Sequence, residues 1–362
     1  MGTAPRTVVA RSSSATARPS VDGVALLTEM LRVDSVSGDE RGLASILVRR
    51  LLDVGYDAHV DEVGNLIATW GHGARHTVLV GHLDTAPGQL AVRRTGDLLF
   101  GRGAVDAKGP LATAIIAVAR QSRDHGRRYT VVGAVEEEST SRGAHHLAAT
   151  IARPDELIIL EPSGWEGITI GYKGSVRAIW SVRQPAGHGA GPRRSTGDRA
   201  VAFVQDLQGH ARSWSGERSM FERLDVRALG IHTGGDGITD HARVEVGLRV
   251  PLTYDVQRLL DVLRAAAGDA TFEIVNVDPP VRTDRRSPLA RRFVDAIRAC
   301  GGTPRFKLKT GTSDLNVLVP AWGCPAIAYG PGDSRLDHTP DEHVDLVEVE
   351  RATSVLEAVL SR

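Results

Sequence analysis

A strand-like apolar run, Val78-Leu79-Val80-Gly81, ends in His82-Leu83-Asp84. Side chains alternate faces along a strand, so His82 and Asp84 point the same way, and the carboxylate is placed to reach or orient a metal-bound imidazole. Downstream, the glycine-rich turn Gly101-Arg102-Gly103-Ala104-Val105 presents Asp106, and Pro110 stands where a helix would start ahead of the apolar stretch 111–119. A third run, 129–135, closes in Glu136-Glu137-Glu138. Three strand ends thus deliver one His and several carboxylates to a single edge. Each piece alone reads as a strand-end polar pair or a solvated turn. Together they are the nitrogen and oxygen donors that hard and borderline divalent cations take, at the strand ends where open α/β sheets place their sites.

The order and wording of these motifs resemble the di-zinc aminoacylase/carboxypeptidase family, which includes acetylornithine deacetylase and succinyl-diaminopimelate desuccinylase. Later segments extend the resemblance: Glu161-Pro162, Gly171-Tyr172-Lys173-Gly174, Gly187-His188-Gly189, Thr310-Gly311-Thr312-Ser313-Asp314 and Asp337-His338-Thr339-Pro340-Asp341-Glu342. It implies a zinc-peptidase-like α/β catalytic domain with a central, mostly parallel sheet, plus an inserted smaller α+β domain serving as lid and dimer surface. It also implies two divalent metal ions, Zn2+ or alternatively Co2+. His82, Glu138 and Glu161 would belong to the metal shell, Asp106 would bridge the two ions through its two oxygens, and His338 would complete the second position. Asp84 would fix the tautomer and basicity of His82 from behind, and Glu137 would be the general base. His188 would donate to the oxyanion, often from the neighbouring subunit. Arg249 would clamp a substrate carboxylate in bidentate fashion, with Lys173 and Thr312 as further substrate contacts.

Spacing alone leaves the acidic triplet undecided. Aligning the family's Glu-Glu pair, followed five residues later by Gly, gives Glu137-Glu138 and Gly143, while Glu136-Glu137 stays open. Where relatives carry an Asn, this chain departs from the family pattern with Gly237-Ile238-Thr239-Asp240. Within the family, the motifs look most like the hydrolases that release lysine or ornithine from an amino-group carrier protein. Those enzymes cut the amide between the carrier's C-terminal glutamate side chain and the α-amino group. That carrier is small and acidic, so Lys173, Lys307 and Lys309 near the mouth would steer it. The first alternative is a deacylase of a free N-acyl amino acid using the same metal centre. The second is a non-catalytic binding protein on the same fold, which would be expected to have lost at least one of the residues above; all are present. No Gly-x-Ser-x-Gly elbow marks a serine hydrolase, and neither cysteine has a motif around it.

A chain of 362 residues with 41% apolar content has ample core for two domains. Acidic and basic residues number 44 each, which gives no electrostatic case for nucleic acid or an anionic membrane. Cys300 and Cys324 are too few for a disulfide framework, which fits a reducing, cytoplasmic compartment. No run approaches the roughly 20 apolar residues that span a bilayer. The Ser-, Ala- and Arg-rich residues 1–20 read as a disordered tail without a secretion signal. Only four of the 44 basic residues are Lys, and Lys108, Lys173, Lys307 and Lys309 all lie within or just before the motifs, where a compact ammonium would serve better than a guanidinium fork.

The elements that must position the site follow from periodicity. Residues 24–33 and 43–54 read as helices, the second with Leu43, Ile46, Leu47, Leu51 and Val54 at helical spacing and Gly55 as its stop. Strands are expected at 58–60, 66–69, 78–80, 129–135 and 156–160, and helices from the Asp106 turn to about residue 120 and at 143–148. Alternation of strands and helices indicates a sheet covered on both faces. After Gly164 the pattern changes: strands at 171–183 and 244–250 and helices at 198–208 and 256–266 make two strand-helix units. Ser287-Pro288 then starts a helix through Ala299 that Gly301-Gly302 ends, and the α/β pattern resumes with His338. The expected organisation is a tail over 1–20, a discontinuous catalytic domain over 21–170 and 277–362, and a lid and dimerisation domain over 171–276, with a homodimer expected.

Overall fold

Helix α1 (Gly23–Leu31) starts where the Asp22 carboxylate accepts from the backbone N–H groups of Val24 and Ala25, and it buries Leu26, Leu27, Met30 and Leu31. Helix α2 (Arg41–Val54) carries Leu43, Leu47 and Leu51 on one stripe, and Gly55 stops it at a left-handed φ of 107°. The computed structural model describes residues 21–124 and 126–362, so the tail expected over 1–20 lies outside the described residues. The chain continues through β1 (Asp57–Val60), β2 (Leu66–Trp70), β3 (Arg75–His82), β4 (Arg93–Thr95), β5 (Leu98–Phe100), α3 (Lys108–Ala119), β6 (Arg127–Ala134), α4 (Arg142–Thr150), β7 (Glu156–Ile159) and β8 (Gly167–Tyr172). A second run holds β9 (Gly174–Pro185), α5 (Thr196–Ser215), β10 (Asp225–Gly235), β11 (Thr239–Val250), α6 (Val256–Ala267) and β12 (Thr271–Asp278). The third holds β13 (Val281–Arg282), α7 (Pro288–Ala299), β14 (Arg305–Lys309), α8 (Leu315–Trp322), β15 (Ala326–Ala328), β16 (His343–Asp345) and α9 (Leu346–Leu360).

The first and third runs share a nine-stranded sheet ordered β1-β2-β6-β3-β7-β15-β8-β13, with β14 on the free side of β8. Its middle strands β6, β3, β7 and β15 run parallel, and strands on both flanks are antiparallel, so the sheet is mixed with a parallel centre. Strand β3 is buried from His76 to His82, which is why it reads as a near-continuous apolar run rather than an alternating one. Helix α3 is buried along its whole length, including Lys108, and its sequence is accordingly apolar all round. One face of the sheet packs with residues of α1, α2, α3, α7 and α9, the other with α4 and α8. Ser287 and Pro288 start α7 as the spacing predicts, with the Ser287 hydroxyl accepting from the Ala290 N–H at 3.2 Å. A small sheet, β16-β5-β4, brings the chain after His338 back against the Asp106 turn.

The second run forms a four-stranded antiparallel sheet, β10-β11-β9-β12, covered by α5 and α6. Trp180 stacks on Phe203 with ring centroids 5.4 Å apart, and Leu207, Leu259 and Leu263 complete this core. The strand expected over 171–183 is two strands in two different sheets, separated by the single residue Lys173. A Cβ at Gly174 would sit 2.6 Å from the Asp278 carbonyl, so the crossing needs glycine. Periodicity also passed over β10 and β12. β10 contains Gly230, Gly234 and Gly235 and leaves much of its length in water, so it lacks the alternation that marks a half-buried strand.

Candidate metal centre and substrate cleft

His82 ends β3 with only 1% of its surface exposed. Its Nδ1 lies 2.8 Å from the Asp84 carbonyl oxygen and 3.5 Å from the Asp84 carboxylate, so Nδ1 carries a proton and Nε2 is aimed at the carboxylates. Nε2 is 3.1 Å from Asp106 Oδ1 and 3.9 Å from Glu161 Oε1. The other Asp106 oxygen, Oδ2, is 3.3 Å from His338 Nε2, which is also 2.6 Å from Glu138 Oε1. Two subsets therefore share Asp106: His82 with Glu161, and His338 with Glu138. His82, Asp106 and Glu138 offer ligand atoms within 4.8 Å of one another.

The backbone is fixed around these side chains. Asp84 accepts from the N–H groups of Glu137 at 3.1 Å and Glu138 at 3.0 Å, and from the Ser37 hydroxyl at 2.7 Å. Glu136 turns the chain there at a left-handed φ of 58°, a conformation that costs a non-glycine residue on the order of 1 kcal/mol. Its own carboxylate is taken by the Thr140 hydroxyl and Arg142, away from the cluster. The geometry thus brings Glu137 and Glu138 to the cluster and turns Glu136 out. On the opposite side, the Glu342 carboxylate accepts from the N–H groups of Gly103, Val105 and Asp106 and pairs with Arg102 at 2.8 Å. The Asp106–Ala107 peptide is cis, and His338 sits at φ 61°.

Crowding sets the charge states. Burial, then repulsion from Glu161, Glu138 and Asp314, pushes the Glu137 carboxyl well above its ordinary range against the pull of His82. Burial and Asp106 do the same to Glu161, against Lys309 and His82. Burial raises Asp314 to about 7, and burial with Asp106 raises Asp337 to about 8. The hydrogen bonds from His338 and His82 hold Asp106 below the usual carboxylate range despite burial. Those same contacts raise His338 to about 10 and lift His82 well above its ordinary value although burial opposes it. Asp314 Oδ1 and Asp337 Oδ1 are buried without a hydrogen-bond partner. Imidazole nitrogens, carboxylate oxygens, excess negative charge and orphaned acceptors are a set that divalent cations would satisfy, so the residues fit a metal centre.

Across the cleft, Arg249 near the end of β11 donates through Nη1 to Thr312 Oγ1 at 2.9 Å, bringing two of the expected substrate contacts together. Lys173 stands differently from its expected place at the mouth. It is 0% exposed, and its ammonium goes to the Arg223 carbonyl at 2.7 Å and the Asp225 carboxylate at 2.5 Å, so it ties the two sheets together and cannot steer a partner. Lys108 likewise donates to the Met30 and Val33 carbonyls and Lys307 to the Ser163 carbonyl. Three of the four lysines are thus point donors to main-chain oxygen, a task a guanidinium fork fits less well. The Lys309 ammonium has no hydrogen bond or ion pair among the described residues and lies 5.9 Å from the Tyr172 ring. His188 is on an exposed loop, where its Nδ1 accepts from the Ala190 N–H at 3.2 Å, and it makes no contact with the cluster among the described residues. A separate groove of about 680 Å³ between α1 and α2, lined by Leu26, Val33, Leu51, Val54 and Ile115 among others, contains none of the cluster residues.

Two positions had no role in the sequence reading and acquire one here. Glu342 holds the Asp106 turn; its signal was its place four residues after His338. Asp314 lies within electrostatic range of His82 and Asp84; its signal was the Ser313-Asp314 pair closing the Thr310 motif.

A family model described as peptidase family M20/M25/M40 matches residues 78–362. The LysW-lysine hydrolase of Deinococcus radiodurans is 40% identical over 348 residues, covering 93% of this chain and 96% of that one. The LysW-lysine/LysW-ornithine hydrolase of Saccharolobus islandicus is 28% identical over 279 residues, covering 76% and 78%. In fold, the chain is similar to an M20 family metallo-carboxypeptidase from Sulfolobus solfataricus, with a TM-score of 0.78 at 16% identity over 94% of this chain and 99% of that one. It is also similar to a tripeptidase from Staphylococcus aureus, with a TM-score of 0.76 at 17% identity over 94% and 97%.

Proposed function

The chain belongs to peptidase family M20/M25/M40 and is a metal-dependent hydrolase of amide bonds, and from that premise we propose that it releases lysine or ornithine from the C-terminal γ-glutamyl group of the carrier protein LysW. The observation that carries the chemistry is the sharing of Asp106 between the His82–Glu161 and His338–Glu138 subsets. The carrier substrate is supported by the near full-length match to a LysW-lysine hydrolase. His82, Asp106 and Glu161 would hold one divalent cation and Asp106, Glu138 and His338 a second, with Zn2+ or Co2+ as the ions. Such ions, when bound, supply Lewis acidity toward a carbonyl oxygen and acidify water.

The chain's own residues do the rest. Glu137, its proton affinity raised by burial and neighbouring carboxylates, takes a proton from the attacking water. As the amide C–N bond breaks, it returns that proton to the leaving α-amino nitrogen and is regenerated as carboxylate. Asp84 keeps Glu137 and Glu138 in register through their N–H groups and keeps the His82 proton on Nδ1. Arg249, steadied by Thr312, takes the α-carboxylate of the amino acid being released. His188, left on an exposed loop in the single chain, is donated to the cluster of a second copy in a cytoplasmic homodimer, where it hydrogen-bonds the developing oxyanion.

The test is side-by-side hydrolysis, by zinc- or cobalt-loaded enzyme, of LysW carrying γ-glutamyl-linked lysine or ornithine and of free N-acetylornithine. Release from the carrier alone is expected. Release from N-acetylornithine alone would replace the carrier reading with that of a small-molecule deacylase.

A further inference from the structure

Among the strands of the nine-stranded sheet, β14 alone has no buried residue: Arg305 through Leu308 are exposed and Lys309 is half-buried. It pairs only with β8, on the side opposite β15 and β13. The Arg305 N–H donates to the Glu166 carbonyl at 2.9 Å, and the Lys309 carbonyl accepts from the Lys173 N–H at 3.1 Å. Main-chain groups alternate along a parallel ladder, so residues 305, 307 and 309 face β8, while Phe306 and Leu308 turn their N–H and C=O groups outward, where no described strand lies. Side chains alternate as well. Arg305, Lys307 and Lys309 share one face; Phe306 and Leu308, 40% and 37% exposed, share the other.

Charged residues commonly guard sheet edges against unwanted pairing. Such a guard does not call for a Phe and a Leu in water beside it. The stretch 301–313 holds three cations and no acidic residue. It also runs into the cleft, since Thr312, three residues past the end of β14, accepts from Arg249.

We propose that the outer edge of β14 receives the extended, acidic carboxyl-terminal segment of the protein substrate as an added parallel strand. Parallel addition points the incoming chain the way β14 points, so its last residue arrives at the Lys309 end, where the cleft begins. The outward N–H and C=O groups of Phe306 and Leu308 hold its main chain, and the cationic face complements its carboxylates. The inference rests on the carrier reading above and explains how one metal site would select a conjugate on a folded protein over a free N-acyl amino acid.

The test compares kcat/KM for lysine conjugated to LysW with kcat/KM for Nα-(γ-glutamyl)lysine, which lacks the tail. Phe306→Pro removes an outward N–H without touching the β8 ladder, a change edge strands tolerate, and Arg305→Glu reverses an exposed charge. The ratio of the two values is expected to fall on the order of tenfold or more in each variant, through KM for the conjugate. Hydrogen exchange at the Phe306 and Leu308 amides of the wild-type enzyme is expected to slow when LysW is added. Unchanged ratios overturn the proposal, and so does a fall in Arg305→Glu without exchange protection, which reduces the edge to a charged surface. Should Phe306→Pro fail to fold, Arg305→Glu and the exchange measurement decide. A wild-type enzyme that cleaves the dipeptide and leaves the conjugate intact would instead sink the carrier reading itself.

Discussion

The carboxyl ends of β3, β6 and β7 and the end of β11 face the same cleft with opposite charge, and they are held there by different means. On the central sheet, carboxylates that repel one another are fixed from behind by main-chain donors: two N–H groups on Asp84 and three on Glu342. On the smaller sheet, Arg249 reaches across with a single described hydrogen bond, to Thr312. The side with the His82–Asp106 cluster is over-determined and stays organised against its own repulsion. The Arg249 guanidinium is held by one contact, which a substrate carboxylate can replace. The proposed function places chemistry on the first side and substrate capture on the second.

Variants can break that division of labour. The largest effect is expected for Glu137→Gln, which removes the proton acceptor and leaves the main-chain scaffold: kcat should fall on the order of 10³- to 10⁴-fold while metal content by elemental analysis stays at the wild-type level. Retained activity would contradict its role as base. Arg249→Ala should lower kcat/KM by about 10- to 100-fold, the size of a lost charge-assisted hydrogen bond, mostly through KM and with metal content unchanged. A loss confined to kcat would move Arg249 to the chemical side.

The two histidines of β3 sharpen the comparison within one strand. His82, among carboxylates, is raised, whereas burial first and Arg128 second lower His76 to about 4 from 6.5. Above pH 6.5 His76 is neutral in both folded and unfolded chains. As pH falls from 6.5 toward 4, only the unfolded chain takes up the proton, so stability should drop by on the order of 2 kcal/mol. His76→Gln should flatten that part of a denaturation-versus-pH curve, and an unchanged slope would assign the loss to other groups. The smallest effect is expected for Glu342→Gln, which keeps the shape but weakens its hold on the Asp106 turn: about 1–2 kcal/mol of stability together with weaker metal retention under chelator. Weaker retention without any stability change would place Glu342 in the metal shell itself.

The cluster was legible because its parts are local. His82-x-Asp84 follows from strand alternation, and the acidic triplet from a strand's end. What the chain could not reveal locally depends on distant partners. The choice of Glu137-Glu138 over Glu136-Glu137 is made by Thr140 and Arg142, which hold Glu136 outside, and by Asp84, fixed from another strand. The role of Glu342 needs a contact across 237 residues of chain to Val105. Lys173 looked like a mouth residue because it sits in a glycine-flanked motif, yet that motif is the crossing between two sheets and demands a buried donor. β10 escaped because glycines and water-facing positions erase the period-two signal.

The most direct test of the account is anomalous scattering from crystals grown with Zn2+. Two peaks are predicted, one bounded by His82 and Glu161, the other by His338 and Glu138, with Asp106 between them. One peak or none within this cluster, in enzyme that hydrolyses its substrate, would contradict it.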